Sequence, residues 1–181
     1  MDLCFAEGPS ALPRTRNTIF IPMVSTKQTA TSVCFGNPSA LAFYHLLSTD
    51  ERQQRTSLTC CPSLVEAAKK RAYGLTHGDP WSHVDAAGLW PNQHARAAGC
   101  NLPDFYPEPA NNIESLVAGS PNVGDVFEAL AQSQYHAPHL FGQNDFFREQ
   151  GEVGIALAEG GVFGWYWVVL IAVCLQKTSG E

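Results

Sequence analysis

The sequence predicts an α+β protein, a three-layer α-β-α sandwich in which helices cover both faces of a central antiparallel sheet. Three helical patterns come first along the chain, and a pair of strands comes last. The final strand, 165–173, is apolar at every position, so both of its faces must be covered. The chain has 181 residues, enough for one hydrophobic core and too few for two.

Two helices are predicted in the first half of the chain from the spacing of their apolar residues. The first follows Pro38, with Ser39 as its N-cap. Its apolar side chains recur at i, i+3, i+4 and i+7: Ala40, Phe43, Tyr44 and Leu47. The second begins near Pro62 and buries Leu64, Ala68, Ala72 and Leu75. Its basic run is expected on the solvated face: Lys69, Lys70 and Arg71.

A third helix begins after Asn122, the predicted N-cap, with Asp125 in the capping-box position. Its apolar face is formed by Val123, Val126, Phe127 and Leu130. Between the second and third helices lie the loop 81–91 and the proline-rich stretch 100–112, separated by a helical turn at 93–98. Long irregular stretches inside a compact domain are usually functional or line a groove.

The strand pair is predicted from a change of period near the end of the chain. Apolar residues at 153, 155 and 157 alternate with glycine and alanine, and Gly160-Gly161 then turns the chain into 165–173. This pattern predicts an antiparallel hairpin at the centre of the sheet. The run 165–175 is too short for a transmembrane segment, which needs about 20 residues.

Residues 1–38 are predicted to be an N-terminal arm, extended or bound to a partner, ahead of a domain at 39–177. Four prolines interrupt the arm, and an arm with little core of its own often packs against a neighbour. The first 20 residues hold charges and prolines and no apolar stretch of signal length, so either a secretory signal has been removed from this numbering or the protein is not exported by that route. The net charge of −6 disfavours nucleic acid as a partner.

Six cysteines leave two interpretations open. Three disulfides would suit an oxidising compartment, whereas buried free thiols would suit a reducing one. The adjacent pair Cys60-Cys61 fits no zinc-binding spacing, and it carries no sign of an activated nucleophile. Whether Cys60 or Cys61 pairs with Cys100 is open.

A set of short motifs follows a recognisable order over residues 39–175. In chain order these motifs are Leu64–Ala72, Ser82-His83-Val84-Asp85, Gly88, Pro91-Asn92, Ala97-Ala98-Gly99, Asn111-Asn112-Ile113, Gly119, Val126–Leu130, Ser133, His136, Leu140, Gly142, Glu152–Ala156 and Tyr166-Trp167-Val168. Together they resemble the CAP superfamily of cysteine-rich secretory, antigen 5 and pathogenesis-related proteins, and most of all its bacterial SCP-like branch. The resemblance implies an α-β-α sandwich with a groove on one face. It also implies an extracellular or cell-envelope protein that binds partners, sterols or other lipids.

The resemblance implies a groove site as well. Many CAP proteins line the groove with two histidines and two glutamates, and some bind zinc there. The matching positions in this chain are His83, Asn111, Ser133 and His136. An amide and a hydroxyl give zinc no anionic ligand, and neither can act as a carboxylate general base. The four matching positions therefore form a cleft without acid groups.

Two carboxylates could compensate for the missing glutamates. Glu114 lies three residues after Asn111 and joins the predicted groove surface, and Glu128 lies beside the apolar face of its helix. We expect a hydrogen-bonded histidine pair, no cofactor and no catalytic residue. Zinc on His83 and His136 is the alternative, with His139 as a third ligand.

The remaining histidines and a serine-histidine-aspartate set have simpler interpretations. His94 is expected on the surface, and His45 and His77 are expected to be structural or exposed. Ser82, His83 and Asp85 are too close in sequence to reach the geometry of a catalytic triad.

These observations predict a non-catalytic CAP-like binding or structural module. It could serve as an accessory subunit of a larger extracellular or envelope assembly, held by a protein partner through its N-terminal arm. Two alternatives stay open: a metal-assisted hydrolase using His83 and His136, and a lipid- or sterol-binding protein. Stoichiometric zinc would favour the hydrolase, and extractable lipid would favour the carrier.

Overall fold

The structure is a computed structural model that describes residues 4–5 and 29–175. Five strands are β1 (Cys4–Phe5), β2 (Thr59–Cys60), β3 (Glu114–Ala118), β4 (Glu152–Glu159) and β5 (Trp165–Ala172). The helices are α1 (Ala30–Phe35), α2 (Pro38–Thr49), α3 (Pro62–Thr76), α4 (Pro91–Ala97), α5 (Val123–Ala131), α6 (Ala137–Phe141) and α7 (Asp145–Arg148). The predicted α+β class is confirmed.

One sheet carries all five strands, in the order β1-β3-β5-β4-β2. The predicted hairpin is confirmed: β4 and β5 pair antiparallel from Glu152 opposite Ala172 to Glu159 opposite Trp165. The sheet is mixed rather than antiparallel throughout, because β1 runs parallel to β3 and β2 runs parallel to β4. These two edge strands are far in sequence from their neighbours, so no tight turn forces an antiparallel pairing.

Alternate residues of β5 enter two separate apolar clusters. Trp167 and Val169 pack with side chains from α1, α2, α5 and α6. Val168 and Leu170 pack with side chains from α3 and α4. These four β5 side chains are at most 1% exposed, so the strand is covered on both faces, as its composition requires.

Two helix caps test the sequence-based predictions. Asn122 caps α5 as predicted, with its side chain accepting hydrogen bonds from Gly124 and Asp125. The prediction for α2 is wrong by two residues. Asn37 rather than Ser39 is the N-cap, because the Asn37 side chain accepts from the backbone of residues 39 and 40 and Pro38 occupies the first turn.

The predicted arm at 1–38 is described in two parts. Cys4–Phe5 adds β1 to the sheet, and residues 30–35 form the helix α1 rather than an extended segment. Phe35 is fully buried in the core, so the domain begins before the predicted boundary at residue 39. Residues 1–3 and 6–28 of the arm and 176–177 of the predicted domain lie outside the described residues.

Two disulfides join distant parts of the fold: Cys34–Cys60 and Cys100–Cys174. Cys100 therefore pairs with neither of the two adjacent cysteines, and Cys61 remains a thiol. Such disulfides persist in oxidising compartments. Within the described ranges, no helix has the length and apolar character to cross a membrane.

Helix α3 lies directly on β4 at Gly154. A Cβ atom at this position would come within 2.2 Å of the Leu64 carbonyl carbon and 2.4 Å of the Val65 nitrogen. The absence of a side chain therefore allows the helix backbone to contact the sheet. Arg71 lies seven residues after Leu64, two turns along the same helix face.

Candidate functional site

A groove of about 430 Å³ brings the sequence-predicted site residues together. His83 reaches it from the loop between α3 and α4, and His136 reaches it from the start of α6. Asn111 and Glu114 line the same groove from the beginning of β3. Ser133 does not line the groove, but its hydroxyl lies 2.9 Å from His136 Nδ1.

The loop that carries His83 is fixed by its own acidic residues. Asp79 Oδ1 accepts a hydrogen bond from the Ala86 nitrogen at 3.1 Å. Asp85 Oδ1 accepts from the nitrogens of Ala87 and Leu89 at 2.9 and 2.8 Å. Carboxylates that bond the backbone in this way hold a loop in one conformation, so the position of the imidazole is defined.

The expected lack of acid groups in the cleft is wrong, because Glu114 supplies a carboxylate. Glu114 Oε1 lies 2.8 Å from His83 Nδ1, and the Glu114 side chain is only 1% exposed. The carboxylate accepts the Nδ1–H of the imidazole, which fixes the ring orientation and directs Nε2 away from the pair. Glu128, the other candidate, is exposed and bonds Gln132 instead.

Arg71 lies behind this pair, and its prediction as a solvated residue is wrong. Its side chain is fully buried, with Nη1 2.8 Å from Asp79 Oδ2 and Nε 3.8 Å from Glu114 Oε2. Nη2 also donates to the carbonyl of Ser82. The guanidinium therefore joins α3, the His83 loop and β3, and its positive charge lies between two carboxylates.

The Asn111 side chain lines the groove and also holds the backbone of Glu114. Its Oδ1 accepts from the Glu114 nitrogen at 2.8 Å, and its Nδ2 donates to the Glu114 carbonyl at 3.1 Å. Both ends of the amide are thus used at the first residue of β3. The asparagine fixes the backbone from which the buried carboxylate projects.

His139 is a third groove histidine, and it is 4% exposed. Its Nδ1 lies 2.8 Å from the hydroxyl of Ser115. Burial, followed by the positive charge of nearby Arg55, lowers the pKa of His139 to about 3. The ring is therefore neutral at physiological pH.

The other histidine predictions have mixed outcomes. His45 and His77 are exposed, as expected. The surface prediction for His94 is wrong: it is 6% exposed, with Nε2 3.1 Å from Asp85 Oδ2, and burial lowers its pKa. The Asp85 carboxylate thus interacts with His94 and with the backbone of its own loop. The carboxylate partner of His83 is Glu114.

A metal centre needs several nitrogen, sulfur or carboxylate ligands that converge on one point. Among residues 4–5 and 29–175, no three histidines, cysteines or acidic residues are placed together to hold a metal ion. His83 and His136 each use Nδ1 for a hydrogen bond to a protein side chain. In the described part of the chain, these two groove histidines are therefore hydrogen-bonded to Glu114 and Ser133.

Comparisons with known proteins show the fold and nothing finer. The chain matches no protein-family model and no curated protein. Among solved structures it is similar to an outer surface protein from Borrelia burgdorferi, with a TM-score of 0.56 and 18% identity. The similarity covers 75% of this chain and 91% of that one. At this identity the two proteins share an α+β fold, and the likeness carries no residue roles.

Proposed function

We propose that the chain is a non-catalytic CAP-like module that binds an amphipathic ligand in the groove between His83 and His136. The observation that carries this proposal is that hydrogen bonds and an ion pair hold the polar side chains of the groove in place. The imidazoles of His83 and His136 are each held through Nδ1 by a neighbouring side chain, and Glu114 is shared between His83 and Arg71. These groups are positioned to hydrogen-bond a ligand that enters the groove.

The CAP-like part of the proposal rests on the order of sequence motifs together with the layering. Apolar clusters lie on the two faces of the sheet, one with α1, α2, α5 and α6 and one with α3 and α4. A three-layer α-β-α sandwich accounts for this division. The CAP resemblance implies a groove lined by His83 and His136, and both residues line the groove of this structure, which supports the proposal.

The nature of the ligand follows from the groove lining. The polar groups of His83, Glu114 and His136 lie near an apolar wall that includes Trp90, Tyr135 and Phe147. Small-molecule sites commonly combine an apolar surface with a few fixed polar groups. We therefore expect a ligand with a hydrogen-bonding head and an apolar body, a description that includes sterols and other lipids.

An extracellular or cell-envelope location is part of the proposal. Two disulfides favour an oxidising compartment. The structural neighbour is, by its name, an outer surface protein. An accessory role in a larger assembly would add a protein partner, and the chain isolated from its native source would then co-purify with that partner.

The ligand is tested by organic extraction and native mass spectrometry of protein purified with its disulfides intact. Tyr135→Ser removes an exposed aromatic ring from the groove wall, whereas Tyr73→Ser removes an equally exposed ring from the far part of α3. We expect the wild type and Tyr73→Ser to carry or take up lipid, and Tyr135→Ser to lose it. Equal lipid content in the two variants would contradict the proposal.

The hydrolase alternative is tested on the same samples by metal analysis. Stoichiometric zinc in protein purified without added metal, lost in both His83→Ala and His136→Ala, would replace the binding-module proposal with a metal-dependent function. Glu128→Gln serves as the control, because Glu128 is exposed and lies outside the groove lining.

A further inference from the structure

Three cysteine sulfurs lie together on the side of the sheet covered by α3. Cys61 Sγ is 3.6 Å from Cys174 Sγ, and Cys174 is already bonded to Cys100. A thiol and a disulfide are thus in contact within one chain. Thiol–disulfide exchange requires this arrangement, in which the sulfur of one cysteine can approach a sulfur of the bond it attacks.

The backbone holds both contacting cysteines against β4. The Cys61 nitrogen donates to the Val153 carbonyl at 3.0 Å, just before α3 begins. The Cys174 nitrogen, just after β5, donates to Glu152 Oε2 at 3.3 Å. Glu152 and Val153 are neighbouring residues of β4, so both cysteines are held beside the same part of that strand.

The adjacent cysteines Cys60 and Cys61 belong to opposite faces of the sheet. Cys60 packs with the cluster that includes α1 and is bonded to Cys34. Cys61 packs with the cluster that includes α3. Successive side chains of a strand point to opposite faces, so the two disulfides are separated by the sheet. The exchange contact therefore involves Cys61 and not Cys60.

Solvent access differs among the three sulfurs. Cys61 is half-buried, whereas Cys174 is 9% and Cys100 is 2% exposed. The Ser63 hydroxyl lies 3.1 Å from Cys61 Sγ. Cys61 is therefore the thiol through which the group exchanges its proton with water.

We propose that Cys61, Cys100 and Cys174 form an intramolecular thiol–disulfide exchange site. Cys61 loses its proton to solvent, and its thiolate attacks Cys174 Sγ. The Cys61–Cys174 bond forms as the Cys100–Cys174 bond breaks, and Cys100 leaves as a thiolate that takes a proton from solvent. One thiol and one disulfide are present before and after, so no oxidant or reductant is required.

The exchange moves a covalent tether. In one isomer the end of β5 is joined to the loop that follows α4, and in the other it is joined to the start of α3. The same loop continues into the groove wall at 109–113. Arg96 still holds the loop through the carbonyls of Leu102 and Tyr106, so the exchange releases a cross-link without removing these contacts.

Thiol labelling of the full chain tests the exchange. The wild type is incubated with N-ethylmaleimide, quenched in acid and digested with pepsin, and the labelled and disulfide-linked peptides are identified by mass spectrometry. We expect label at Cys61 in some chains and at Cys100 in others, the latter with a Cys61–Cys174 linkage. In Cys61→Ser, label at Cys100 is expected to be lost, and the Cys34–Cys60 peptide reports any scrambling during handling.

A second variant forces the alternative linkage. Cys100→Ser leaves Cys174 with Cys61 as its neighbour, and in a glutathione redox buffer it is expected to form Cys61–Cys174. Wild-type label confined to Cys61 would overturn the proposal, as would a folded Cys100→Ser protein that keeps both thiols. If Cys100→Ser does not fold by circular dichroism, the comparison of the wild type with Cys61→Ser decides. Label at Cys100 in Cys61→Ser would also overturn it.

Discussion

His83 Nδ1 and Glu114 Oε1 lie 2.8 Å apart, although 31 residues separate them in the sequence. The contact joins the loop before α4 to the first residue of β3. Arg71 approaches the other oxygen of the same carboxylate from α3. The loop, α3 and β3 are therefore joined at one buried acidic side chain.

Replacing Glu114 is expected to destabilise the fold. Glu114→Gln keeps the size of the side chain but leaves the buried Arg71 charge with one carboxylate instead of two. We expect the free energy of unfolding to fall by about 2 kcal/mol in urea titrations, because the amide cannot form the ion pair with Arg71 and is a weaker acceptor for His83 than a carboxylate. Glu128→Gln is the matched control, and its change is expected within about 0.5 kcal/mol because Glu128 is exposed.

Arg71 and Lys70 are adjacent basic residues, and replacing them is expected to change the stability of the fold by very different amounts. Arg71→Met removes the guanidinium that separates Asp79 from Glu114, so the unfolding free energy should fall by about 3 to 5 kcal/mol. Lys70→Met changes an exposed residue and should remain within about 0.5 kcal/mol of the wild type. Equal losses in the two variants would show that the buried network contributes nothing specific.

His139 makes the stability depend on pH. The folded pKa is about 3 and the ordinary value is 6.5, so between these limits the unfolded chain binds a proton that the folded chain does not. The stability from the neutral ring is complete above pH 6.5. It falls as pH decreases through that window, by up to about 1.4 kcal/mol per unit.

His139→Asn is the variant that isolates this effect, because its amide can still bond Ser115 and does not titrate. Urea unfolding from pH 7 to pH 4 should show a shallower loss of stability for the variant. Other groups, including His94, titrate in both proteins and cancel in the difference. A difference between the two proteins that stays constant over this range would contradict the assignment.

Gly154 and Gly151 provide a paired test of the contact between α3 and β4. Gly154→Ala forces a methyl group into the helix backbone, so we expect a loss of about 3 kcal/mol or failure to fold. Gly151→Ala meets its nearest atom, the Ser57 carbonyl oxygen, at 3.8 Å, an ordinary contact distance. Its thermal midpoint should lie close to that of the wild type.

The sheet centre and the main helices were predictable because their residues are periodic. The apolar run at 165–173 required a strand covered on both sides, and β5 has that environment. The edge strands were not predicted, because two residues are too few to show a period of two. The cysteine pairing also depended on which edge of the sheet each residue occupies, a property of topology rather than spacing.

The site was predictable in part. The motif order brought His83, Asn111 and His136 to one groove. Arg71 was assigned to solvent because it ends a basic run, although it lies seven residues after Leu64 and thus on the buried face. Glu114 was included in the predicted groove surface, but its contacts with His83 and Arg71 were not predicted. This contact depends on where β3 begins. Because the strand starts at Glu114, the carboxylate is buried and lies beside the imidazole of His83.

The pairing of Cys34 with Cys60 has a consequence for association. It fixes a helix beside the two-residue strand β2, and Pro62 follows at once without a backbone N–H. This edge strand therefore offers too few unpaired backbone N–H and C=O groups for another polypeptide to pair with it as an added strand. While this cross-link is intact, strand addition to the sheet is disfavoured on that side.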